Sequence, residues 1–194
     1  MIYIYMKEFA FFFISVIIIF MIIQKIDKDK DILEITSEID NRIYIVRKLP
    51  DGKEAADRLA RINKNIITLL DSLNEKDRDG IETLKKRFNP DKLSETGLGA
   101  KYTSYSVNKG EEIAICVRQP DNTFIDDNTV MFVVIHELAH VMTKSVGHTP
   151  EFWDNMAYLL ERGEELGIYN PKNYKEHPVD YCGMEINTTP YKKF

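Results

Sequence analysis

His136-Glu137-Leu138-Ala139-His140 lies inside an otherwise apolar stretch, with Met131-Phe132-Val133-Val134-Ile135 before it and Val141-Met142 after it. A segment apolar on all sides predicts a buried helix, and buried polar side chains need partners. Residues four apart return to nearly the same helical face, so His136 and His140 can grip one ion together. Glu137 then stands beside the ion and does not bind it. This is the HExxH arrangement, in which two histidines hold zinc and the glutamate accepts a proton from a water that the ion has acidified.

A catalytic zinc site normally takes three protein ligands and leaves the fourth position to water. His148 is the leading candidate for the third. It follows Gly147, which can end a helix and turn the chain back, and it precedes Thr149-Pro150-Glu151, which read as N-cap, first-turn proline and early acid of a helix running to about Arg162. The rival ligand is a carboxylate on that helix, Glu161, Glu164 or Glu165, as in His₂Glu zinc sites.

With His148-Thr149-Pro150-Glu151-Phe152-Trp153 following the HExxH stretch, the chain resembles the WLM and SprT-like zinc metallopeptidases, and most of all the WLM-like proteins of large DNA viruses. The resemblance runs from about Tyr102 to Arg162. It implies zinc on His136, His140 and His148, with Glu137 as general base. Seven residues separate His140 from His148 where the family has about five, and Thr143 stands where metzincins place a glycine. The fold implied is an α+β zincin-like metallopeptidase domain, with the active-site helix over a small antiparallel sheet and a helical amino-terminal part.

Phe9 to Ile23 is an uncharged apolar run, and residues 1–23 as one helix would reach roughly 35 Å, enough for a hydrocarbon core of about 30 Å. No cleavage site follows it, so residues 1–24 are expected to be an uncleaved transmembrane anchor, residues 25–40 a charged tether and residues 41–194 the metallopeptidase domain. Lys25, Lys28, Lys30 and Arg42 after the run, against Lys7 before it, place the carboxyl-terminal domain of this single-pass membrane protein on the cytoplasmic side. Cys116 and Cys182 have no spacing that reads as a disulfide framework, and are expected to be two free, buried thiols suited to a reducing compartment.

Ile43-Tyr44-Ile45-Val46 is rich in strand formers. After Pro50-Asp51-Gly52, residues Ala55, Leu59, Ile62, Ile66, Leu69 and Leu73 form one helical stripe, expected to pack on the domain's own core. A short helix around Ile81 and Leu84 ends at Asn89-Pro90, and Leu93 to Lys101 reads as a loop. Tyr102–Val107 and Glu112–Arg118 flank Asn108-Lys109-Gly110 as a hairpin, whose edge could take an extended peptide as an added strand. Near the carboxyl end His177 or Tyr181 could donate to an oxyanion, and Gly183-Met184 resembles the methionine turn beneath the metal of metzincins.

Lys and Arg total 26 against 31 Asp and Glu, a net charge of −5, and no basic stripe stands out, so direct nucleic-acid binding is not expected. The sequence therefore points to a zinc-dependent hydrolase acting on a protein or peptide substrate. Two other readings stay open: a zinc-stabilised binding module without turnover, and a metal amidase acting on a small substrate.

Overall fold

The computed structural model describes residues 14–21, 31–100 and 102–191. Strands β1 (Ile32–Thr36) and β2 (Ile43–Arg47) pair antiparallel, and Tyr44 and Val46 on β2 are buried. Ile32–Thr36 falls in the stretch read as a tether, and it is strand because it pairs with β2. Its burial pattern does not alternate, so the sequence carries no period-two signal for it.

Helix α1 (Gly52–Ser72) buries Ala55, Leu59, Ile62, Ile66 and Leu69, with Leu73 just beyond its end, as the stripe predicts. Helix α2 (Ile81–Arg87) buries Ile81 and Leu84 and carries Lys85, Lys86 and Arg87 in its last turn, where cations complement the helix dipole. Strands β3 (Leu93–Glu95), β4 (Tyr105–Val107) and β5 (Glu112–Ile115) make a sheet in the order β3-β5-β4. β4 runs antiparallel to β5 at one edge, and β3 runs parallel to it at the other. The sheet is therefore mixed and not antiparallel as expected, because the segment read as a loop supplies a strand only three residues long, too short to show a period.

Helix α3 (Asp127–Met142) starts at Asp126, whose side chain accepts the Thr129 N–H, and helix α4 (Pro150–Glu165) starts at Thr149, whose hydroxyl accepts the Phe152 N–H. The chain closes with hairpin β6 (Val179–Tyr181) and β7 (Met184–Ile186). Two glycines pin the carboxyl end of α3. A Cβ on Gly80, at φ 88°, would lie 2.1 Å from the Met142 carbonyl oxygen, and one on Gly110, at φ 103°, would lie 2.8 Å from Val141 Cγ1. Both need the left-handed backbone as well as the space.

Beneath the sheet lies a buried charge network. Arg118, 0% exposed, pairs through Nε with Glu95 Oε1 at 3.0 Å and through a terminal nitrogen with Asp51 Oδ2 at 2.7 Å. The Arg47 backbone N–H donates to Glu95 Oε2, and the Phe124 ring lies 4.0 Å from the Arg118 guanidinium carbon. The network ties β2, β3 and the segment after β5 to the start of α1.

Cys116 and Cys182 form a disulfide across a Cα–Cα distance of 6.4 Å, correcting the expectation of two free thiols. Their separation of 66 residues gives no spacing signal, and only the docking of the β6–β7 hairpin beside β5 brings them together. With the pair oxidised, the thiol argument for a reducing compartment falls away. The hairpin is also held by Gln119, which donates to the Asp180 carbonyl and accepts the Cys182 N–H. A cross-link over a loop of this length contributes about 4 kcal/mol by constraining the unfolded chain. Reduction with excess dithiol is expected to lower the melting temperature by roughly 10 °C, read by calorimetry with and without reductant; an unchanged melt would mean the bond adds no stability.

Among the described residues no helix is long and apolar enough to cross a membrane. Residues 14–21 are helical and exposed, and eight helical residues reach about 12 Å. The described residues thus give the anchor read for 1–24 no support, and the rest of that span lies outside them.

Candidate metal centre

Helix α3 delivers His136 and His140 one turn apart, and the segment after its last residue returns His148 to the same point. The helix ends at Met142, earlier than Gly147 suggested, with the Thr143 N–H bonded to the Ala139 carbonyl. Lys109 on the β4–β5 turn donates to the carbonyls of Thr143 and Lys144 at 3.3 and 2.9 Å, satisfying helix-end acceptors with a cation. Glu151 in the first turn of α4 accepts from Ser145 Oγ at 2.9 Å, and Asn155 donates to Thr143 Oγ1 at 3.0 Å. The loop between the second and third histidine is thus anchored to both flanking helices, which accommodates its length of seven residues.

The three Nε2 atoms are 3.2 Å (His136 to His140), 3.2 Å (His140 to His148) and 3.1 Å (His136 to His148) apart. Three ring nitrogens in such a triangle cannot satisfy one another, because each is either an N–H donor or a lone-pair acceptor and never both, so at least one of the three contacts sets two like groups face to face. A tetrahedral ion with bonds of about 2.0 Å sets its ligands roughly 3.3 Å apart. The triangle matches that spacing, and three imidazoles with no thiolate are a donor set of catalytic zinc sites. Burial, then the proximity of the other two rings, lowers the His136 pKa to about 3; burial, then His148, lowers that of His140 to about 4. Both rings are neutral at physiological pH, the form that binds metal.

Phe152, fully buried, forms the floor. Its ring centroid lies 4.2 Å from that of His140, 4.8 Å from His148 and 4.9 Å from His136. One side chain therefore fixes all three rings, a role the sequence does not reveal beyond the presence of Phe152 in the motif. Met184 does not lie below the triad. It is 52% exposed on the closing hairpin, where its sulfur accepts from Thr103 Oγ1.

Glu137 is buried, and among the described residues no donor bonds its carboxylate. Burial alone raises its pKa to about 7 in the metal-free protein. The rival ligands are elsewhere: Glu164 accepts from the Tyr191 hydroxyl and Glu165 pairs with Arg162, and neither they nor Glu161 joins the three histidines in the metal-sized cluster of the described residues. Of the two oxyanion candidates, His177 is exposed, and its N–H donates to the Asn173 carbonyl. Tyr181 is buried, with its hydroxyl 2.7 Å from Ser104 Oγ. Burial, joined by the charge of Glu137, holds that phenol well above its usual range.

A model of the WLM domain matches residues 38–190. The chain belongs to the WLM family. It is 38% identical over 160 residues to the uncharacterised protein R325 of Acanthamoeba polyphaga mimivirus, covering 79% of this chain and 81% of that protein. Uncharacterised protein 042R of Invertebrate iridescent virus 3 is 39% identical over 82 residues (42% of this chain, 50% of that protein). Uncharacterised protein 136R of Invertebrate iridescent virus 6 is 32% identical over 93 residues (46% and 51%). No solved structure matches. The WLM match spans the β1–β2 turn through the closing hairpin, so the triad, Glu137 and the disulfide all lie within this WLM domain.

Proposed function

We propose that this WLM domain is a zinc-dependent metallopeptidase that hydrolyses peptide bonds in a protein or peptide substrate. The observation that carries the reading is the convergence of three Nε2 atoms at zinc-ligand spacing beside a buried carboxylate that lacks a hydrogen-bond donor among the described residues. Zinc, when bound by His136, His140 and His148, supplies a Lewis acid that polarises a carbonyl and acidifies a water. Glu137 takes a proton from the attacking water and hands it to the departing amine nitrogen. Phe152 keeps the three imidazoles in register. The strand β4, paired among the described residues with β5 alone, suits an extended peptide added as a further strand.

The test is zinc per chain in the full-length protein and in its His148→Ala variant. One zinc in the parent and a large loss in the variant are expected. Zinc retained by the variant would remove His148 from the site, and no zinc in either would overturn the metallopeptidase reading.

A further inference from the structure

The triad is flanked by an exposed indole, and the charged side chains of the surrounding loop and turn are each held by a partner. Trp153 is 37% exposed; its ring centroid lies 5.3 Å from that of His148 and 6.5 Å from that of His136. Val146, on the loop that leads into His148, is 89% exposed. By contrast, the Glu151 carboxylate accepts from Ser145 and the Lys144 N–H, the Lys109 ammonium is turned onto backbone carbonyls, and Lys144 Nζ pairs with Asp79 at 3.3 Å. Successive residues of an extended peptide advance about 3.4 Å. A carbonyl held over the three Nε2 atoms therefore brings the side chains next to the scissile bond within reach of the indole. An exposed indole offers a flat apolar face that favours aromatic and large aliphatic groups.

We propose that Trp153 forms the wall of a subsite that selects an aromatic or large aliphatic side chain on the residue adjoining the scissile bond. This rests on the reading of the triad as a peptide-hydrolysing centre. Phe152 and Trp153 divide the work of adjacent positions on α4: the first faces inward and supports the ligands, and the second faces outward and meets the substrate.

Trp153 is the chain's sole tryptophan, so its fluorescence reports on the site directly. The experiment uses the full-length, zinc-loaded protein and blocked Gly/Ser peptides that differ at one central residue, Phe, Leu, Ala or Asp. In the Glu137→Gln background, Phe and Leu peptides are expected to change the emission saturably at concentrations about tenfold below those needed for Ala. In the parent background, the ratio of kcat/KM for Phe over Ala peptides is expected to be about tenfold or more, to fall toward unity in Trp153→Ala and to be largely restored in Trp153→Phe, with zinc per chain unchanged. Equal binding and equal cleavage of the Phe, Ala and Asp peptides, or an undiminished ratio in Trp153→Ala, would overturn the proposal. Selective binding without cleavage by the zinc-loaded parent would uphold the subsite and overturn hydrolysis alone; cleavage without apolar preference would do the reverse.

Discussion

Glu137→Gln is expected to retain one zinc per chain while peptide hydrolysis falls by about 10²–10⁴-fold. The amide has the shape of the carboxylate but cannot take the water's proton, and the three ligands are untouched. Metal analysis alongside cleavage of a labelled peptide separates the two effects; full activity in the variant would refute the assigned role. The same substitution carries a stability signature in the metal-free protein. Burial raises the Glu137 pKa from 4.5 to about 7, so the folded state favours the protonated acid. Below about pH 4.5 both folded and unfolded chains carry the proton, and as the pH rises through 7 the folded chain bears the full penalty of a buried charge. That penalty is on the order of 3 kcal/mol. Chelated Glu137→Gln is therefore expected to melt above the chelated parent at pH 8 and level with it near pH 4. A parent as stable as the variant at pH 8 would show that the carboxylate finds solvent or a donor.

The second large effect lies away from the triad. Glu95→Ala is expected to destabilise the domain by about 3–5 kcal/mol, a large share of the 5–15 kcal/mol typical of a whole domain. The change strips the fully buried Arg118 of its closest buried partner and leaves the Arg47 N–H without an acceptor. Asp51, on the partly exposed side, compensates only in part. Glu95→Gln, which keeps the acceptor and loses the charge, is expected to fall between parent and Glu95→Ala in urea unfolding. A loss below about 1 kcal/mol for Glu95→Ala would mean that water or Asp51 takes over the guanidinium.

What could be read from the chain was whatever has a period or a short motif. The α1 stripe from Ala55 to Leu73 repeats at helical spacing, and its residues are buried as that spacing requires. His136 and His140 meet because helix geometry alone brings them together, and the Thr149-Pro150 cap places the start of α4 correctly. His148 was reachable because it lies in the short turn between two legible helices. The features that were missed depend on contacts between distant segments. Arg47, Glu95 and Arg118 look like surface charges in sequence and become interior only because β2, β3 and the segment after β5 stack their charges against each other. Strand β3 is three residues long and pairs with a strand some twenty residues away. Phe152 was visible as part of the motif but not in its role, since its contact with three imidazoles exists only once both helices are packed.

The bond between Cys116 and Cys182 has a topological consequence. The stretch it closes contains α3, the turn to His148 and α4, so all three histidines, Glu137, Phe152, Trp153 and Tyr181 belong to one covalent ring. A single backbone break anywhere in that ring, self-inflicted or foreign, leaves both new ends tethered to the same molecule. On a denaturing gel such a nicked chain would run as one species until reductant is added, then separate into two.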